Sequence, residues 1–163
     1  MEKPSASGQP NKIFKNCNTF NERFEQILLT EISPTIWLSV WRCKVLNFSI
    51  YVDIRQKRER RADGEKTHIP TRNGVFLRRP EFDELKEVYE AWCNGSKDPK
   101  VPYEISADGR KVIFSMDGER FKIFLDNCGK KSAILLSANE MAKTASYSLA
   151  ENLASIVAEF NWV

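Results

Sequence analysis

The chain has 163 residues, a hydrophobic fraction of 42% and a formal net charge of +3. This length predicts one or two small domains with a buried core. No stretch of about 18 apolar residues occurs, which excludes a membrane-spanning helix. The four cysteines stand far apart and His68 is the sole histidine, so no zinc site is expected. Without an apolar leader, the cysteines are expected to be reduced thiols, which favours the nucleus or the cytosol.

The N-terminal part predicts a disordered tail followed by a helix. Residues 1–12 are polar and include two prolines, and the disordered tail is predicted to cover residues 1–17. Residues 18–33 predict a helix that ends at Ser33-Pro34, because the residue before proline avoids the helical region. The apolar residues at helical spacing are Phe20, Phe24, Ile27 and Leu28.

Residues 34–96 predict several strands followed by one helix. Thr35–Arg42 is rich in bulky residues, and Asn47–Arg55 alternates between apolar and polar positions. A turn at Ala62-Asp63-Gly64 leads into an extended run over Thr67–Leu77. Gly74 predicts a bend or bulge in this run. The helix spans Arg79–Trp92, with Pro80 at its first position and acidic residues in its first turn.

Residues 97–163 repeat this order. Asp-Gly pairs separate the first predicted strands, and Ser137 with Glu140 forms a capping-box pattern before an apolar helical stripe over Met141–Phe160. The predicted fold class is α+β, with two antiparallel four-stranded sheet-plus-helix units forming a pseudo-dimer after an N-terminal helix. The predicted strands of the second unit are Tyr103–Ser106, Lys111–Met116, Arg120–Asp126 and Ser132–Ser137.

Positive charge is concentrated in the first unit. Between Arg42 and Arg79 eleven Lys/Arg face four Asp/Glu, a net charge of about +7. Between Asp108 and Phe160 seven Lys/Arg balance seven Asp/Glu. Such a local excess is typical of a surface that contacts a phosphate backbone. The sequence therefore predicts one binding half and one scaffolding half.

Several short motifs in the first unit resemble one known family. They are Val52-Asp53-Ile54-Arg55, Gly64-Glu65, Pro70-x-Arg72-x-Gly74-Val75-x-Leu77 and Glu81-Phe82-x-x-Leu85-Lys86. In this order and spacing they resemble the C-terminal domain of positive cofactor four, a eukaryotic transcriptional coactivator that binds single-stranded DNA. The resemblance covers about a third of the chain, residues 36–92. It implies a curved four-stranded antiparallel sheet followed by a helix.

In that family two such units dimerise through their helices and bind melted DNA across their sheets. Here the second unit is expected to supply the partner within the same chain, although it lacks these motifs. The family's aromatic pair after V-D-I-R is replaced by Gln56-Lys57-Arg58. Contact through charge, rather than base stacking, is therefore the expected contact at that point.

The candidate phosphate-binding residues lie on the basic hairpin and beside it. The alternatives are a solvated hairpin or a nuclear-import signal, and for Arg72 and Gly74 a structural bulge. Tyr51, on the polar face of its strand, is the best candidate for stacking on a base. Trp37, Trp41 and Phe76 are further aromatic candidates. The sequence does not decide which face of the Thr35–Arg42 strand is covered. The phosphate candidates are Arg55, Lys57, Arg58, Arg60, Arg61, Arg72 and Arg78.

The expected function is non-enzymatic binding of single-stranded or melted DNA, as in a transcriptional coactivator of the nucleus. His68 has no recognisable nucleophile beside it, so no catalytic residue is predicted. No cofactor, metal or membrane partner is expected; transcription proteins are candidate partners. RNA binding, or a protein-interaction module whose basic hairpin docks an acidic partner, is the alternative. The chain is expected to be a monomeric pseudo-dimer or a homodimer.

Overall fold

The structure, a computed structural model, describes residues 20–45, 49–95, 100–147 and Leu149. A four-residue helix, α1 (Phe20–Arg23), comes first. The first unit then consists of β1 (Phe24–Ser33), β2 (Ile36–Cys43), β3 (Ile50–Ala62), β4 (Glu65–Arg78) and α2 (Arg79–Cys93). The second unit consists of β5 (Tyr103–Ala107), β6 (Arg110–Asp117), β7 (Arg120–Asn127), β8 (Lys130–Leu136) and α3 (Ala138–Ala145).

Each unit has its own antiparallel sheet, with the strands in sequence order. The predicted α+β class, with two four-stranded antiparallel sheets and helices, is therefore confirmed. Asp-Gly pairs make two of the hairpin turns, at Asp63-Gly64 and Asp108-Gly109. All four of these residues have positive φ, as a two-residue loop that follows the twist of its strands requires. None of the helices within the described residues is long and apolar enough to cross a membrane.

The predicted helix over residues 18–33 is wrong from Phe24 onward. Phe24–Ser33 forms the edge strand β1, paired with β2, and only Phe20–Arg23 is helical. A register shift between Gln26 and Leu28 accommodates apolar residues spaced as in a helix. Pairing with the buried strand β2 supplies hydrogen bonds that outweigh the weak local preference. Residues 18 and 19 and the predicted tail, 1–17, lie outside the described residues.

One hydrophobic core is shared by the two units. Inward-facing side chains of both sheets form a single buried cluster with those of α2 and α3. Strand β4 lies beside β8, and α3 packs against β1 as well as β7 and β8. The apolar stripe predicted for the last helix is buried at Met141, Ala145 and Leu149. Its remainder, to Phe160, lies outside the described residues.

The β3–β4 pairing is interrupted at the P-T-R-N-G motif. Arg55 pairs with Gly74 and Lys57 with Pro70, so Gln56 alone faces residues 71–73. A Cβ at Gly74 would lie 2.7 Å from the Cζ of Arg55 and 2.8 Å from the carbonyl oxygen of Ile54. Glycine is required because the Arg55 side chain lies across this position. The predicted bulge is thus confirmed.

Candidate functional site

The outer face of the first sheet, which points away from the core, carries an aromatic cluster. Since side chains alternate along a strand, burial of Val40 and Val52 places Trp41 and Tyr51 on this face. The rings of Tyr51 and Phe76 stack with centroids 4.8 Å apart. Phe20 meets Trp41 edge-on at 4.9 Å. Half-exposed rings on an open sheet face are suited to stacking against another flat group.

A pocket of about 840 Å³ lies beside this cluster. We call it the aromatic pocket. Three rings line it, together with two exposed arginines, a part-buried ion pair and the chain around the β4 bulge. Its lining residues are Phe20, Trp41, Phe76, Arg58, Arg72, Asp53, Arg55, Pro70 and Thr71. The pocket thus combines flat apolar walls with a basic rim.

Arg55 is held by an acidic neighbour on the same strand face. Its Nε and Nη2 donate to the two carboxylate oxygens of Asp53 at 2.9 and 2.8 Å, and its Nη1 donates to the carbonyl of Thr71 at 3.0 Å. Burial raises the pKa of Asp53, and the bonds from Arg55 oppose that rise. The pair presents little net charge to a ligand in the aromatic pocket.

Lys57 is buried instead of exposed. Its side chain lies over the ring of Trp37, with Nζ 5.0 Å from the centroid, and Nζ bonds the Oε1 of Glu31 at 3.0 Å. The residue is 3% exposed. The hydrogen bond from Lys57 holds the pKa of the Glu31 carboxyl below its usual range. Lys57 therefore connects β3 to β1 across β2, and its buried ammonium group is not available to a ligand in solvent.

Two further predicted cations have carboxylate partners. Arg61 Nε donates to Glu59 Oε2 at 2.8 Å in an exposed pair, and this bond lowers the pKa of Glu59. Arg78 Nη1 donates to Asp108 Oδ2 at 2.9 Å, so it reaches the second unit instead of the basic hairpin. Exposed pairs are weak and exchange readily with solvent. Arg61 is thus more easily released to another anion than Arg55 or Lys57.

Three predicted cations, Arg58, Arg60 and Arg72, are exposed and make no ion pair with a carboxylate in the described ranges. Arg58 and Arg72 meet at the rim of the aromatic pocket, although they come from different strands. Arg60 lies two residues closer to the hairpin turn. The structure therefore gathers part of the predicted basic track and assigns the rest to ion pairs.

The sequence did not point to Phe20 as a wall of the pocket, because its segment was taken as part of a longer helix. Tyr51, the predicted stacking residue, lies behind Phe76 and does not line the pocket. His68 stands beside the ring of Trp37, with centroids 6.3 Å apart. Within the described ranges no three His, Cys, Asp or Glu residues are grouped to hold a metal ion.

Comparison with known proteins gives no relative: no protein-family model and no curated protein matches this chain. Membership in the positive cofactor four family therefore stays a prediction from the motif residues.

Proposed function

We propose that this protein binds single-stranded or melted DNA without catalysis, as positive cofactor four does. In this proposal one unstacked base enters the aromatic pocket, and the neighbouring phosphates lie against Arg58 and Arg72. The observation that carries it is that half-exposed rings and two arginines without an ion pair in the described ranges line one pocket on the outer face of the first sheet.

The pocket offers different electrostatic surroundings to the base and to the phosphates of a nucleotide. The Arg55–Asp53 pair is neutral overall and lies among rings, which suits an uncharged base. The unpaired guanidinium groups of Arg58 and Arg72 suit phosphates. Stacking on an aromatic ring contributes about 1–3 kcal/mol per base and tolerates any sequence. A base inside a duplex has both faces covered by its neighbours, so single-stranded nucleic acid is the expected ligand.

We further propose that the two units form a pseudo-dimer. The third residue of each helix reaches the first hairpin of the other unit: Glu81 of α2 bonds Arg110, and Glu140 of α3 bonds Ser33. This reciprocity is what a two-fold relation between duplicated units would give. A monomer in light scattering would support it. The coactivator role, transcription-protein partners and nuclear localisation follow from the resemblance and stay predictions.

A salt-dependent titration tests the binding function. Fluorescent oligo(dT) of about 15 nucleotides, within the range of known single-strand sites, is titrated with protein at low and high salt. The variant R58A/R72A is expected to lower affinity at least tenfold at low salt. It should also reduce the slope of log affinity against log salt by about 1.4, at about 0.7 per lost phosphate contact.

The matched control is K130A/K131A, which removes two exposed lysines at the start of β8, away from the pocket. It should leave affinity within about twofold. Equal losses in both variants would mean that net charge alone attracts the oligonucleotide. No binding of the wild type at low salt would exclude the proposal and favour docking of an acidic protein. RNA and duplex DNA of matched sequence complete the comparison.

A further inference from the structure

A second cavity lies between the two units. It has a volume of about 540 Å³ and is lined by both sheets. We call it the inter-unit cleft. The first unit contributes the β1–β2 turn and the β3–β4 bulge, and the second contributes β7, β8 and the start of α3. Its lining includes two amides, two cations and two carboxylates: Gln56, Asn73, Arg120, Lys122, Asp117 and Glu140.

The cleft adjoins the aromatic pocket across the β3–β4 bulge. Arg55 and Arg72 line the pocket, while their sequence neighbours, Gln56 and Asn73, line the cleft. Asn73 Nδ2 donates to Gln56 Oε1 at 2.7 Å, so this amide pair bridges the bulge. A strand advances only about 3.3 Å per residue. Neighbouring residues on a strand point to opposite faces of the sheet, so the cleft lies on the other side of the β3–β4 ribbon from the pocket. A chain that occupies the pocket therefore reaches the cleft by crossing the ribbon at the bulge, past this amide pair.

The β7 side of the cleft offers cations. Arg120 and Lys122 stand two residues apart and so share a strand face, and neither makes an ion pair with a carboxylate in the part of the chain that the structure describes. Arg120 is exposed and Lys122 half-buried. The balanced total charge of the second unit predicts a scaffolding role. The balance conceals this local pair.

One of the two carboxylates that line the cleft already accepts hydrogen bonds from the protein. Glu140 accepts from the Ser33 hydroxyl at 2.6 Å through Oε2 and from the Ser137 amide at 2.8 Å through Oε1. Burial alone would raise the pKa of Glu140, but these hydrogen bonds and the nearby positive charge of Arg120 outweigh it and hold that pKa below its usual range. Asp117 pairs in register with Arg120 across the β6–β7 turn without an ion pair. Arg120 attracts the Glu140 carboxylate without forming a salt bridge with it, so an incoming phosphate competes for Arg120 with this longer-range attraction as well as with solvent.

The two units meet at two junctions, each formed by the start of one unit's helix and the first hairpin of the other unit. The cleft lies at the α3 junction, and the junction at α2 is closed. There Arg110, the first residue of β6, is buried and bonds Glu81 twice, at 2.9 and 2.8 Å, and the carbonyl of Phe76 at 2.9 Å. In the first unit the first residue of β2 is Ile36, which has no group to bond Glu140 in the same way. One junction is thus filled by the protein's own arginine, and the other leaves a cavity beside two cations.

We infer that the inter-unit cleft is a second phosphate-binding subsite. Arg120 and Lys122 hold the nucleic-acid backbone after it leaves the aromatic pocket over the Gln56–Asn73 pair. This inference rests on the proposed function and adds the second unit to the binding surface.

Dependence on oligonucleotide length tests the subsite. Oligo(dT) of about 5 and about 15 nucleotides brackets most of the span of known single-strand sites. The variant R120A/K122A should bind the longer oligonucleotide about tenfold more weakly than wild type and the shorter one within about twofold. Its salt slope for the longer oligonucleotide should fall by about 1.4. The charge-preserving variant R120K/K122R should restore most of the affinity, and K130A/K131A again serves as the charge-matched control.

The outcomes separate the subsite from the binding function. If wild type binds both oligonucleotides and R58A/R72A weakens both, but R120A/K122A changes neither affinity nor slope, the subsite is excluded and the proposed function stands. A loss of equal size for both lengths also contradicts the subsite, because a cleft beyond the pocket acts only on longer strands. Absence of any wild-type binding overturns both proposals. Unchanged circular dichroism and melting temperature show that the variants are folded.

Discussion

The two junctions between the units begin alike and end differently. At each, the glutamate in the third position of a helix reaches the first hairpin of the other unit. Glu81 meets the buried guanidinium of Arg110, whereas Glu140 meets the small hydroxyl of Ser33. The first junction is a closed ion pair and the second leaves a cleft. Two junctions that share one starting contact can therefore differ, one being a closed ion pair and the other an open cleft.

The largest effect is expected from breaking the closed junction. R110M leaves the Glu81 carboxylate buried without its cation, which typically costs about 3–5 kcal/mol. The free energy of unfolding in urea should fall by about that amount. The double variant E81Q/R110M should recover a large part of it, because the uncompensated charge is gone. A loss below about 1 kcal/mol in R110M would show that the two junctions do not differ in strength.

A smaller effect is expected at the open junction. S33A removes one hydroxyl donor from Glu140, and a single hydrogen bond to a charged group contributes about 1.5–3 kcal/mol when well shielded. Since Glu140 is only half-buried, screening by solvent should reduce the loss to about 1 kcal/mol or less. The same urea titration measures it. An S33A loss as large as that of R110M would contradict the comparison.

Acid should weaken the open junction selectively. The pKa of Glu140 is lower in the folded protein than its ordinary value of 4.5, because hydrogen bonds from Ser137 and Ser33 and the charge of Arg120 outweigh burial. Its contribution to stability is therefore present above the unfolded pKa and lost as pH falls through the folded pKa. The stability difference between wild type and S33A should shrink between pH 7 and about pH 3. Urea titrations at the two pH values test this; a difference that grows on acidification would reverse the assigned sign.

The smallest effect is expected from Arg78, a predicted phosphate contact that the structure places at the closed junction. R78A removes the exposed pair with Asp108, a kind of pair that contributes about 0–1 kcal/mol. Oligonucleotide affinity should stay within about twofold of wild type, and the salt slope should be unchanged. A fall in slope of about 0.7 would show that Arg78 contacts a phosphate after all.

Most of the fold followed from local patterns. Runs of bulky residues, alternation and turn spacing located seven strands, Asp-Gly pairs located turns, and Pro80 and Ser137 marked the helix starts. The eighth strand, β1, was missed because its apolar residues fit a helical period equally well. What decides its structure is pairing with β2, a contact between segments whose register no local pattern reveals.

The site was less predictable, since charge is visible in a sequence and its partners are not. The Asp53–Arg55 and Glu59–Arg61 pairs are residues two apart on a strand, a spacing that signals a shared face and was available as a clue. Lys57 with Glu31 and Arg78 with Asp108 are contacts between distant segments. They remain hidden until the positions of β1 and the second unit are known.

Each helix contacts the other unit through its glutamate, and this determines how the chain can be divided. Besides the two glutamates, Lys86 Nζ donates to the carbonyl of Tyr147 at 3.0 Å, and the Tyr89 ring meets that of Phe121 at 5.4 Å. Neither half completes its own interior. If the polypeptide is severed between Gly95 and Lys100, each fragment alone should aggregate, while co-expression should reconstitute the assembly. The two fragments could then serve as the halves of a split reporter, since each would fold only with the other.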